Sequence, residues 1–131
     1  MLHRIVRIAL VALPFLGSCG GSPVGTDPVA PAHDVEIMQN APDLGPNAFS
    51  PTDEVISLAA RNTVTWYNAD FGFYGGGAGT SHHLVSDDGL TFESNVIAPN
   101  GVFRATFTAP GTYTYHCEIH PGMTGTVVVN P

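Results

Sequence analysis

From about residue 34 onward, short runs of β-branched and aromatic residues alternate with clusters of Gly, Pro, Asn and Asp. That pattern predicts strands separated by turns. A first strand is expected near Asp34 around Val35 and Ile37, followed by Val55–Leu58, Thr63–Tyr67, His83–Val85, Val102–Phe107, Thr112–His116 and Gly125–Val129. Turns are predicted at Arg61-Asn62, Asn68-Ala69-Asp70, Asp87-Asp88-Gly89, Pro99-Asn100-Gly101 and Ala109-Pro110-Gly111. No long amphipathic helix is visible. Glu54 to Ala60 has a helical look, but its β-branched content and flanking turns favour a strand. The chain is therefore expected to be all-β, a Greek-key β-sandwich of about seven to eight strands, with Trp66 in its core.

The first third reads differently. Arg4 and Arg7 precede the apolar run from Ile8 to Leu16, and small residues lead to Cys19, which is the anatomy of an export signal. The run is too short for an ordinary membrane-spanning helix. Leu16-Gly17-Ser18-Cys19 resembles a bacterial lipobox, whose cysteine becomes the lipidated first residue of the mature protein. Gly20 to Ala32 is rich in Gly and Pro and suits a tether, with His33 at its end. The expected organisation is a signal over 1–18, a lipid-anchored linker over 19–33 and one domain over 34–131, exported to the periplasm or cell surface and monomeric. The only membrane contact expected is a lipid on Cys19. No disulfide is expected, because Cys19 and Cys117, the two cysteines of the chain, have separate contexts.

Charge narrows the partners. Beyond Arg7, only Arg61 and Arg104 oppose eleven acidic residues, and the chain has no lysine. Such a surface disfavours nucleic acid and anionic membranes and suits docking to a basic protein.

The chemistry is concentrated near the C-terminus, in Tyr115-His116-Cys117-Glu118-Ile119-His120-Pro121-Gly122-Met123. A thiolate, an imidazole and a thioether three residues apart can curl around one ion if the chain turns tightly, and Pro121-Gly122 supplies turn chemistry. Thiolate and thioether favour copper, and one thiolate, two imidazoles and a weak axial methionine are the ligands of blue-copper sites. A second histidine is needed. His82 and His83 are the candidates, and since adjacent strand residues face opposite ways, only one of them can meet the ion. A structural zinc site is disfavoured by the methionine and single thiolate. His116 is expected on the surface, and Met38 in a packing or surface role. The loop from Phe71 to Ser81, with Phe71, Phe73 and Tyr74 before a glycine run, is expected at the metal end.

Several segments together carry a family resemblance: Phe49-Ser50-Pro51, Asn62 to Asn68, His83-Leu84-Val85, Phe107 to Tyr115 and the terminal cluster. From about Phe49 to Val129 the chain resembles the cupredoxin family of small blue copper proteins, the group of plastocyanin, amicyanin and pseudoazurin. The two-residue gap between His120 and Met123 is most similar to amicyanin. The resemblance implies a single type 1 copper ion held by His83, Cys117, His120 and Met123, with His83 preferred over His82 through the family's His-x-Val motif. His82 then faces away. Leu84 and Ile119 stand where the family often has Asn and Pro, so a side-chain brace between the ligand loops is missing, while the Leu84 amide remains available to the Cys117 sulfur. The implied function is one-electron transfer between redox partner proteins, without catalysis, His120 being the exit for electrons. A copper storage or delivery module is the alternative. A nitrite reductase or multicopper oxidase would need more clustered histidines than His3, His33, His82 and His116 provide.

Overall fold

The computed structural model describes residues 30–72 and 78–131. The expected signal, Cys19 and most of the linker lie outside the described residues, as do Phe73 and Tyr74. In chain order the elements are β1 (Val35–Ile37), a short helix α1 (Ala41–Leu44) running into a 3-10 turn (Gly45–Asn47), β2 (Phe49–Ser50), β3 (Asp53–Ser57), β4 (Thr63–Asn68), β5 (His82–Ser86), β6 (Glu93–Ile97), β7 (Val102–Thr106), β8 (Gly111–Cys117) and β9 (Thr124–Asn130).

These strands form the expected sandwich. One sheet has the order β2-β1-β4-β7 and the other β3-β9-β8-β5-β6. Two pairings are parallel, β1 with β4 and β3 with β9, and the others are antiparallel. Every predicted strand is present, with ends shifted by a residue or two. Two short strands were not legible in the hydrophobic pattern. The first, β2, has only two residues, and β6 begins Glu93-Ser94-Asn95 at a sheet edge, where polar residues tolerate solvent and give no apolar alternation. Nor was α1 legible: it has four residues, with Pro42 in its first turn, where a missing N–H costs nothing.

Alternation along the inner faces builds the core. Val64 and Trp66 of β4, Leu84 of β5, Tyr115 and Cys117 of β8, and Val127 and Val129 of β9 are all buried. Trp66 sits at the centre, with ring centroids 5.3 Å from Phe92, 5.5 Å from Phe103 and 5.5 Å from Tyr115. Its indole N–H donates to the Tyr115 hydroxyl at 3.1 Å, so both polar atoms are satisfied in an apolar interior. Burial pushes the Tyr115 phenol far above its ordinary range, so it stays neutral. Gly125 lies directly across from Tyr115 in the β8–β9 ladder, and a Cβ there would overlap the tyrosine ring.

One end of the sandwich is closed by Asn68, the last residue of β4. Its buried side-chain amide donates to the carbonyls of Thr80 (2.8 Å) and Ile97 (2.9 Å), joining the first sheet to the strands of the second. Cys117 and His82 terminate β8 and begin β5, antiparallel neighbours, so both are delivered to one end of the second sheet.

Candidate metal centre

Three side chains from two strands and a loop converge at that end. The Cys117 Sγ lies 3.8 Å from His82 Nδ1 and 3.6 Å from His120 Nδ1, and the three donor atoms lie within 4.8 Å of one another. His82 and Cys117 are buried and His120 is partly so. The two imidazoles meet edge to face, with centroids 5.0 Å apart. Thiolate and imidazole donors bound about 2.0–2.3 Å from one ion, as in zinc sites, lie about 3.6–3.8 Å apart at angles near 110–120°. The two sulfur–nitrogen separations therefore suit a single shared ion.

The loop that carries two of them is closed by its own backbone. The Cys117 N–H donates to the Met123 carbonyl at 3.0 Å, which brings the ends of the Cys117–Met123 segment together. Gly122 makes the turn with φ of +91°, a conformation that L side chains rarely adopt. Met123, expected from the sequence as the fourth donor, is fully buried at the end of that segment.

His82 is oriented from behind. Its Nε2 is 3.2 Å from Asp70 Oδ2, and both side chains are buried. An ionised carboxylate only accepts, so Nε2 carries the proton and the lone pair of the neutral ring is on Nδ1, the atom that faces Cys117. Burial lowers the pKa of His82; the hydrogen bond and charge of Asp70 oppose that shift, and the neighbouring His120 adds to it. A neutral imidazole is the form that ligates a metal.

His83 was expected to face the ion, but the structure brings His82, not His83, to Cys117 and His120. The ring of His83 is on the opposite side of β5, with Nδ1 2.9 Å from Glu118 Oε2 and Nε2 3.1 Å from Glu93 Oε1. The inward positions of β5 are His82, Leu84 and Ser86, and the register sets Leu84 against Cys117. Reading the buried Leu84, rather than Val85, as the inward residue after the ligand would have selected His82. Position-for-position comparison then puts His83, not Leu84, in the place after the first ligand. His83 braces the two ligand segments itself: its carbonyl accepts from Glu118 N–H at 2.8 Å, and its ring meets the Glu118 carboxylate. The Leu84 amide, expected to reach the Cys117 sulfur, donates instead to Ser94 Oγ at 2.8 Å. Ile119 is exposed beside His120.

Other expectations fall into place around the site. His116 is on the surface and pairs with Asp87 at 2.6 Å. His33, read as a linker residue, packs over Tyr67 with centroids 5.1 Å apart. Phe71 is exposed and follows Asp70 directly, and the loop stem is closed by a hydrogen bond from Thr80 N–H to the Asp70 carbonyl at 2.8 Å. Sequence reasoning missed Asp70. It stands in a segment whose Asn and Asp signal a turn, and nothing local marks its carboxylate as buried.

Comparison with known proteins agrees with this geometry. Residues 36–130 match the family model described as copper binding proteins, plastocyanin/azurin family. Plastocyanin of Scenedesmus fuscus is 33% identical over 108 residues, which cover 73% of this chain and 99% of that protein. Amicyanin-alpha of Methylorubrum extorquens is 33% identical over 78 residues, 56% of this chain and 59% of the relative. Among solved structures, a novel purple cupredoxin from Nitrosopumilus maritimus superposes with a TM-score of 0.61 at 26% identity, covering 76% of this chain and all of that one. A β-sandwich with a buried cysteine sulfur and two imidazoles at one end, and a family match over nearly the whole described domain, lead to one conclusion: the chain belongs to the plastocyanin/azurin family of copper binding proteins, and its cofactor is copper.

Proposed function

We propose that the protein is a one-electron carrier that uses a single type 1 copper ion held by His82, Cys117, His120 and Met123. The convergence of the Cys117 sulfur with the Nδ1 atoms of His82 and His120 in a closed end of the sandwich carries this reading. Bound copper supplies a one-electron couple, and the thiolate and thioether among the donors favour its cuprous form. The residues supply a fixed geometry. His82 is pinned by Asp70, Cys117 by the β8 ladder, and the backbone bond from Cys117 to Met123 holds the loop shut. Leu84 and Met123, both fully buried, limit access of water from within the domain. His120 is the least buried of the three donors, beside exposed Ile119, and offers the route by which an electron reaches a redox partner protein.

The carrier works outside the cytoplasm in this reading, tethered through a lipid on Cys19 and the linker over 19–33, with the domain at 34–131. The lipobox-like Leu16 to Cys19 supports the tether. Among the described residues, no helix is long and apolar enough to cross a membrane. Mass spectrometry of the membrane-associated protein, before and after Cys19→Ala, tests the lipid.

The electron-carrier reading is tested by adding cupric ion to the full chain and recording its visible spectrum and a voltammogram. An intense thiolate-dependent band with a reversible one-electron wave is expected. A colourless complex, or colour that survives Cys117→Ala, would sink it; copper that binds but exchanges freely without a reversible wave would point to storage or delivery.

A further inference from the structure

Asp70 is a buried carboxylate that the ligand set does not use. It is 1% exposed, and among the described residues its oxygens accept from His82 Nε2 at 3.2 Å and from the Asn40 backbone N–H at 3.0 Å. Its position is fixed independently of the histidine. The Asp70 N–H donates to Asn68 Oδ1 at 2.9 Å, and Asn68 is itself anchored by its amide to Thr80 and Ile97. The Asp70 carbonyl accepts from Thr80 N–H at 2.8 Å. A chain of hydrogen bonds thus runs from the end of β4 through Asp70 to the ring of His82. The two arginines of the domain are elsewhere: Arg61 pairs with Asp34 and Glu54, and Arg104 is an exposed residue of β7.

We propose that Asp70 is a positioning residue for copper ligation, holding His82 in the tautomer that presents Nδ1 to the ion and setting a fixed negative charge behind it. The proposal rests on the ligand set given above. A carboxylate that accepts the outer N–H of a ligating histidine fixes the ring and raises the basicity of the ligating nitrogen, and losing such a partner typically weakens metal binding 10–100-fold. A more basic nitrogen and a nearby negative charge both favour the more highly charged cupric form over the cuprous one. Asp70 should therefore hold the reduction potential down. The Asn40 contact adds a structural consequence, since the same carboxylate ties the start of α1 to the back of the site.

The test uses the full chain and Asp70→Asn, which keeps an acceptor for Asn40 but offers a carboxamide, not a carboxylate, to His82 Nε2. In the metal-free wild type, ¹⁵N NMR of His82 should show the proton on Nε2 and a bare Nδ1. In D70N that preference should weaken, and cupric affinity measured by chelator competition should fall about 10–100-fold. The potential should rise by about 59 mV for each tenfold loss of cupric over cuprous affinity. A wild-type His82 protonated on Nδ1 overturns the proposal even where D70N fails to fold. So does a folded D70N with wild-type tautomer, affinity and potential. A wild type that develops no thiolate-dependent band removes the ligand set instead, whereas a normal wild-type band with an unchanged D70N removes only the role of Asp70.

Discussion

Replacing His82 and His83 separately by alanine tests the site at its most discriminating point, because the two rings are adjacent in sequence and sit on opposite faces of β5. Removing the His82 ring leaves Asp70 Oδ2 without a donor at a position 1% exposed. A buried polar group stripped of its partner costs about 1–3 kcal/mol, and more when charged. The ring also leaves a cavity beside Cys117 and His120, so His82→Ala should lose at least about 3 kcal/mol of stability without metal. His83 loses less. Its partners Glu93 and Glu118 have side chains 68% and 63% exposed, and exposed ion pairs are each worth about 0–1 kcal/mol. His83→Ala should therefore stay within about 1 kcal/mol of the wild type. Urea unfolding followed by the fluorescence of Trp66, the single tryptophan, reads both changes. Repeating it with free cupric ion at a hundred times its dissociation constant should add about 2.7 kcal/mol to the wild type and to His83→Ala. His82→Ala should lose most of that increment. The reverse ranking, with copper-dependent stabilisation and the thiolate band lost in His83→Ala but kept in His82→Ala, would refute the placement of the ligand face.

Other consequences follow from the same structure. Tyr115→Phe strands the Trp66 indole N–H in the core and should cost about 1–3 kcal/mol by denaturant unfolding; an unchanged midpoint would mean that the bond contributes nothing. Gly125→Ala should destabilise by about 1–3 kcal/mol because its methyl collides with the Tyr115 ring, and the double variant with Tyr115→Phe should not recover the loss, since the overlap involves ring carbons as well as the hydroxyl. The Asp88 carboxyl is held below its ordinary range by hydrogen bonds from the Thr91 hydroxyl, the Leu90 and Thr91 amides and the Ser86 hydroxyl. With its folded-state value depressed, it contributes stability above the unfolded value near pH 4, and loses it as pH falls toward the folded value. Asp88→Asn should thus be less stable than the wild type at pH 6, with the gap closing below about pH 4. A gap that is constant down to pH 2 would contradict that linkage.

Sequence alone determined the sandwich and most of the proposed donor set, because both depend on local patterns. Strand alternation is visible residue by residue, and Cys117, His120 and Met123 lie in one loop, where Pro121-Gly122 already announces the turn that closes it. The loop needs no distant partner to bring those three together. The fourth donor is different. Choosing between His82 and His83 means knowing which face of β5 is inward. In a strand of period two, a one-residue slip exchanges every side chain between faces. That choice is made by the pairing of Leu84 with Cys117, a contact with a strand remote in sequence. Asp70 and Asn68 were hidden for the same reason: they read as turn residues, and only the closing of one sheet against the other buries them behind His82. The chain's own pattern chose the metal chemistry, and tertiary packing chose which imidazole faces Cys117, because burial and strand facing are properties of the assembled sheets.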